Sequence, residues 1–235
     1  MNILGITLAR GGSKSIIKKN IINIKSKPLI YYTIKEALKS KYISDYIVST
    51  DDLEIANVAK KYGVNIPFIR PKKYSNDKAS SSKALIHAVK FMEKLNKIKY
   101  DYIIEIMCTN PLKNSTDIDN VISKLIKTNA DSVIAVHKLD DHHPARIKKI
   151  ENDYIIDFCI KEKLESRRQD LKPLAYIRSG SIYGLTRKEL MINKRRYGSS
   201  NSRPYILPES RSINIDGPID LIVAREMMKL NEKKK

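Results

Sequence analysis

Two short stretches near the start of the chain carry the residue types that bind phosphates. Leu8-Ala9-Arg10-Gly11-Gly12-Ser13-Lys14 is followed closely by Lys18-Lys19-Asn20. Paired glycines have no Cβ, so backbone N–H groups of the turn can come close to phosphate oxygens. Arg10, Lys14 and Lys19 are cations able to neutralise a triphosphate and a leaving pyrophosphate. The spacing is neither that of a P-loop nor that of a dinucleotide fingerprint. From the residues alone the stretch is a phosphate-binding turn or an ordinary basic one, and Lys18 reads as solvated.

The elements that must hold this turn follow from the apolar pattern. Ile3-Leu4-Gly5-Ile6-Thr7-Leu8 reads as a buried strand. Pro28 opens a helix to about residue 39, because proline suits the first helical position. Tyr46-Ile47-Val48-Ser49 is a second strand; Asp51 or Asp52 caps the helix that runs to Lys61, and Gly63 stops it. A helix over roughly 83–95 follows Ser80-Ser81-Ser82, with Leu85, Ala88, Val89 and Met92 at helical spacing. The run 102–107 is a strand, Ser115 or Thr116 caps a helix to about Lys127, and 132–136 is another strand. Alternating strands and helices imply a mostly parallel sheet with right-handed crossovers and helices on both faces, a three-layer α/β/α class. Ligands on such sheets bind at the carboxyl ends of the strands, so the loops after Leu8, Ser49 and Met107 are the expected site walls. Between residues 138 and 174 short β-like pieces at 147–150 and 154–160 read as an antiparallel excursion. Ser181-Ile182-Tyr183 returns to the sheet, and Asp216 caps a last helix from Pro218. One domain, residues 1–235, with an inserted arm at 138–174, is the expected organisation.

In their order these residues resemble the N-acylneuraminate cytidylyltransferases, the CMP-sialic acid synthetases. Ala9-Arg10, Ser13-Lys14 and Lys19-Asn20 are similar to that family's opening motif. Ser49-Thr50-Asp51, Arg70-Pro71, Asn76-Asp77-Lys78-Ala79-Ser80-Ser81 and Asn110-Pro111-Leu112 follow in family order. So do His142-His143-Pro144, Arg168-Gln169-Asp170-Leu171, Gly180-Ser181-Ile182-Tyr183 and Ser212-Ile213-Asn214-Ile215-Asp216. The resemblance implies a nucleotide-diphospho-sugar transferase-like fold and a reaction in which the anomeric hydroxyl of a nine-carbon acidic sugar attacks the α-phosphorus of CTP. It implies that Arg10, Lys14 and Lys19 hold the phosphates, with Lys19 assisting pyrophosphate departure. Ala9, Gly11, Gly12, Ser13, Asn20, Arg70, Ser80 and Ser81 would complete the nucleotide site. Asp216 would hold Mg²⁺, which keeps waters and binds through one or two carboxylates plus phosphates. The arm at 138–174 would cross to a second copy, making a homodimer.

Three departures fall on the sugar and metal side. Asn214 stands where the family has the first aspartate of its metal pair, and its amide oxygen can ligate Mg²⁺ without adding charge. Met107 replaces a glutamine, and Ser179 replaces an asparagine before Gly180. Legionaminic or pseudaminic acid is therefore as fitting a sugar as sialic acid. Arg146, Arg168, Gln169, Thr109 and Arg178 are candidate sugar contacts, with Arg168 suited to a carboxylate. Each has a plainer reading: Asp216 as a helix cap, the segment at Arg168 as a surface loop, His142 and His143 as a turn. A CMP-Kdo synthetase is the nearer rival, but Met107-Cys108-Thr109-Asn110 offers no carboxylate before Pro111.

Composition bounds the alternatives. The chain has 235 residues, 42% hydrophobic and 30% charged, which suits a folded domain. No apolar run approaches the length of a membrane span, and the start of the chain lacks a basic signal-peptide region. Two cysteines, Cys108 and Cys159, without metal-ligand spacing point to packing residues in a reducing cytoplasm. The net charge of +19 invites a nucleic-acid reading, and a non-catalytic RNA-binding protein on the same fold is the rival from another class. Aromatic stacking clusters are lacking near the basic runs, which argues against it. The basic end, Lys233-Lys234-Lys235, reads as a solvated tail.

Overall fold

A computed structural model describes residues 1–13 and 15–233 of the chain. Lys14 of the basic turn, and Lys234 and Lys235 of the basic tail, lie outside the described residues. In chain order the strands are β1 (Ile3–Leu8), β2 (Asn23–Ile24), β3 (Lys27–Pro28), β4 (Asp45–Ser49) and β5 (Tyr102–Ile106). They continue with β6 (Ser132–Lys138), β7 (Lys148–Glu151), β8 (Tyr154–Asp157), β9 (Tyr176–Thr186) and β10 (Ser202–Ile206). The helices are α1 (Leu29–Ala37), α2 (Leu53–Lys61), α3 (Ser81–Asn96), α4 (Ser115–Lys127), α5 (Arg187–Met191) and α6 (Pro218–Lys233).

Side chains alternate across a strand, and both faces of this sheet are covered, so its inner strands are apolar throughout. Val48, Ile104 and Ile106 face one core, with Ile30 and Ile34 of α1, Ile55 of α2 and Val121 of α4. Leu4, Ile6, Ile47 and Ile103 face the other, with Leu85, Val89 and Met92 of α3 and Leu190 of α5. The result is the expected three layers. The six-stranded sheet has the order β10-β6-β9-β5-β1-β4. β1 runs parallel to β4 and β5, and β10 runs parallel to β6. β9 alone runs antiparallel, between β5 and β6. The chain leaves at the carboxyl end of β6, makes its excursion, and re-enters at that same end, with Tyr176 opposite Lys138, which reverses that one strand. The returning strand is 11 residues long, much more than the Ser181–Tyr183 core expected for it. β10 was not foreseen: Ser202-Arg203-Pro204-Tyr205-Ile206 has no apolar run because it is a largely exposed edge.

Helix starts follow capping chemistry, with three corrections. Pro28 precedes α1 as its extended N-cap residue instead of taking the first helical position. Asn114, not Ser115 or Thr116, caps α4, in a reciprocal box with Asp117. The Asp216 carboxylate does not cap α6; the Asp220 carboxylate accepts the Asp216 and Gly217 N–H groups instead, at 2.9 and 2.7 Å. Of the two candidates before α2, Asp52 is the cap, accepting from Ile55 N–H at 2.9 Å.

The excursion contains the β7–β8 hairpin, closed by Asn152 and Asp153 at φ 50° and 66°, the left-handed pair that two-residue hairpins favour. Ile150, Tyr154, Ile155 and Phe158 of this arm are 62–75% exposed. Among the described residues no helix is long and apolar enough to cross a membrane.

Candidate active site

The carboxyl ends of β1 and β5 open on one cleft of about 590 Å³, with Arg70, bonded to Thr50 at the end of β4, on its wall. Backbone bonds align its walls. Ala9 N–H donates to Ser49 O at 3.0 Å, Arg70 N–H to Thr50 O at 2.7 Å, and Met107 N–H to Ser181 O at 2.8 Å. Arg10, Ser13, Lys19, Asn20, Arg70, Ser80, Ser81, Met107 and Thr109 all line this cleft. Ala9 is fully buried behind it. Gly11 packs where a Cβ would come within 2.7 Å of the Asp52 carboxylate, which is the physical reason for glycine there. Its N–H does not face the cleft; it donates to Asp51 Oδ1 at 3.2 Å.

Among the described residues each cation lining the cleft has a carboxylate beside it. Arg10 Nη1 lies 3.0 Å from Asp77. Arg70, 4% exposed, donates through Nε to Ser75 Oγ at 2.9 Å and lies 3.6 Å from Asp51. Burial pulls the Arg70 guanidinium below its ordinary pKa, and Asp51 acts in the opposite direction. Lys19 enters on a 3₁₀ turn, Lys19–Ile21, after Lys18 at φ 51°. Its ammonium donates to Ile215 O at 3.0 Å and stands 3.4 Å from Asp216 Oδ1. Asn20 donates to Arg10 O at 2.9 Å and so ties the two basic stretches together. Lys18 turns away to pair with Glu54.

Asn214 and Asp216 meet beside Lys19, the Asn214 amide donating to the Asp216 carboxylate. Asn214 Oδ1 is buried without a hydrogen-bond partner and packs on Gly180, whose φ is +60°. The Asp216 carboxylate, shared by Lys19 and the Asn214 amide, is a ligand a hard cation can use, and the orphaned Asn214 oxygen would join it if the amide turned round. Among the described residues no three His, Cys, Asp or Glu side chains gather as a metal cage. The pair therefore suits an ion shared with phosphates more than one held by protein alone.

The sugar candidates divide. Met107 and Thr109 are in the cleft. Ser179 is 1% exposed, and its hydroxyl is engaged by Ala135 O at 3.1 Å and Ser181 Oγ at 2.6 Å, so within the chain it supports the wall. Arg146, Arg168 and Gln169 lie on the arm outside the cleft lining. There Arg168 pairs with Asp141 at 3.1 Å, and Arg146 donates to Ser166 O at 3.2 Å.

Three residues of the site had no sequence signal, or one that was passed over. Glu105 is a lone carboxylate in an apolar strand, 2% exposed, which is a readable anomaly. Burial raises its pKa, and Arg196, in bidentate contact, opposes the rise. Arg196 also lies over the Tyr183 ring, 4.7 Å from its centroid. In sequence it is one of several cations in a basic run. Lys113 is 2% exposed, and its ammonium donates to Thr33 Oγ1 at 2.8 Å and to Met107 O and Asn110 O at 2.6 Å. Burial pulls Lys113 down to about 7, and the nearby Cys108, Asp117 and Glu36 oppose the fall. It clamps the loop after β5 against α1. Asn110 is also structural: its amide donates to Arg211 O, and its carbonyl oxygen accepts from Leu112 and Lys113 N–H.

A family model described as Cytidylyltransferase matches residues 4–184. The chain belongs to the cytidylyltransferase family. A pseudaminic acid cytidylyltransferase of Campylobacter jejuni is 34% identical over 233 residues, 99% of each chain. A CMP-N,N'-diacetyllegionaminic acid synthase of Legionella pneumophila is 32% identical, again over 99% of each. Among solved structures, a CMP-2-keto-3-deoxy-manno-octonic acid synthetase complexed with CTP shares the fold, with a TM-score of 0.71 at 17% identity. That match covers 98% of this chain and 100% of the other. In this cytidylyltransferase the matched region holds the cleft residues up to Thr109, while Asn214, Asp216 and Lys19's carbonyl partner Ile215 come from beyond it.

Lys113→Met should leave two buried carbonyls without donors. The expected loss is about 2–4 kcal/mol, or roughly 5–15 °C in melting temperature for a domain this size. A melting temperature within about 2 °C of the parent would show that the clamp carries no stability.

Proposed function

We propose that the chain transfers CMP from CTP to the anomeric hydroxyl of an acidic nine-carbon sugar and releases pyrophosphate. The observation that carries this reading is Lys19, whose ammonium stands between the cleft and Asp216. The attacking sugar hydroxyl forms an O–P bond to the α-phosphorus and gives up its proton to water, while the bond from that phosphorus to the bridging oxygen breaks and its electron pair leaves with pyrophosphate. Such a displacement needs in-line placement and charge neutralisation, not a covalent enzyme intermediate. Arg10 and Lys19 neutralise the triphosphate, with Lys14 of the same turn, and Lys19 takes the charge that grows on the leaving group. Arg70, Asn20, Ser80 and Ser81 hold the nucleotide. Asp216 and Asn214 would hold Mg²⁺, which supplies further charge neutralisation at the phosphates.

The sugar half lies toward Met107 and Thr109. A nonulosonic acid of the pseudaminic or legionaminic class is favoured by the two relatives that share a third of their residues with this chain. The buried, fully engaged Asn110 amide before Pro111 disfavours an octulosonic acid reading, in which a metal-binding carboxylate is expected at that place. The exposed apolar side chains of the arm support a homodimer in which Arg146, Arg168 and Gln169 serve the second copy's cleft. CTP as donor and two free thiols fit a cytoplasmic enzyme.

Purified protein with CTP, Mg²⁺ and a panel of nonulosonic acids should release pyrophosphate, and Lys19→Ala should lower kcat by about 10²–10³-fold with little change in melting temperature. Silence across the whole panel would refute the enzyme. Asp216→Ala should raise the Mg²⁺ concentration for half-maximal rate several-fold; an unaltered requirement removes Asp216 from metal binding. Light scattering at micromolar concentration should give twice the chain mass, and Ile155→Lys should shift it toward the monomer. A monomer at all concentrations argues against the crossing arm.

A further inference from the structure

Asp51 follows β4 and has none of the roles assigned above. Its neighbour Asp52 takes the cap of α2, so the Asp51 carboxylate is left for other contacts. Its Oδ1 accepts the Gly11 N–H at 3.2 Å and lies 3.6 Å from Nη2 of Arg70. A single oxygen therefore touches the basic turn after β1 and the buried cation that follows the segment beside Thr50. The Arg70 side chain is only 3% exposed, and that of Asp51 is 22% exposed. A guanidinium so withdrawn from water keeps its charge at low cost only with a carboxylate beside it. On the other side Ser75 accepts from Nε, so Arg70 is held at both ends of its plane. Arg70 lines the cleft between these two supports. Asp51 also takes the Gly11 N–H away from the cleft, which decides the direction the turn presents to a ligand.

We propose that Asp51 is a positioning residue for the nucleotide: through one carboxylate oxygen it couples the Gly11 turn to Arg70 and fixes that guanidinium, charged, in the nucleotide half of the cleft. The inference rests on the nucleotidyl transfer proposed above. Asp51 acts through Arg70 and the turn, not by touching substrate. The opposite possibility, a carboxylate that merely repels the triphosphate, predicts tighter CTP binding when it is neutralised.

The test is a double-mutant cycle of Asp51→Asn and Arg70→Ala, read by CTP titration calorimetry and steady-state kinetics. Asparagine keeps an acceptor for Gly11 N–H and removes the charge. Asp51→Asn should weaken CTP binding about tenfold, with kcat at saturating CTP and the sugar KM within twofold. In the Arg70→Ala background the same change should matter less than twofold. Equal effects in both backgrounds, or unchanged or tighter CTP binding in the single variant, overturn the proposal. Asp51→Ser, which leaves no buried amide, runs the same cycle should the asparagine variant not fold. A parent protein that binds no CTP refutes the functional reading along with this link; a parent that binds CTP with an additive cycle refutes the link alone.

Discussion

Cations meet at the carboxyl ends of this sheet, and carboxylates from distant segments make that possible. Arg10 stands by Asp77, Lys19 by Asp216, and Arg196 by Glu105, at separations of 67, 197 and 91 residues. Arg70 stands by Asp51. Like charges brought together at one cleft repel, and those withdrawn from water lose hydration. The carboxylates offset both effects while the cleft awaits an anion. The Arg10 pair, exposed on both sides, and the Lys19 pair, exposed on its Asp216 side, are weakly held and can give way to an anion. The buried pairs at Arg70 and Arg196 hold their geometry, because removing one partner would strand a charge. The cleft thus has a yielding edge and a rigid base.

The two halves of the cleft differ in how they are held. The proposed nucleotide half comes from the loop after β1, the segment at Arg70 and the start of α3, the first two aligned by backbone bonds to β4 and Thr50. The proposed sugar half sits at the seam where antiparallel β9 lies beside β5. There Met107 N–H bonds to Ser181 O, and Lys113 gathers the carbonyls of Met107 and Asn110. A buried ammonium with three acceptors does for this loop what a metal or an ordered water does elsewhere. Met107 and Ser179 both fall on this seam, around Ser181 and apart from the basic turn after β1.

Much of the architecture was readable in advance for local reasons. Alternating apolar runs and caps placed β1, β4, β5, β6 and five of the helices within a few residues, because those strands are buried on both faces and the helices carry apolar stripes. The edge strand β10 was not readable, since an exposed edge needs no apolar run. The cap of α6 was misassigned because both Asp216 and Asp220 have the right chemistry, and only the fold shows which carboxylate turns back to the helix.

The sequence by itself determined the layers, the basic turn, and the order of motifs that marks the cytidylyltransferase family. Those depend on periodicity and on residues close together in the chain. Only the tertiary structure decided which charges pair, that Asp51 serves Arg70 and Gly11 while Asp52 caps α2, and that Glu105 and Arg196 form the base of the cleft. Such pairings depend on Coulomb and desolvation energies between residues up to 197 positions apart, and no local pattern records them.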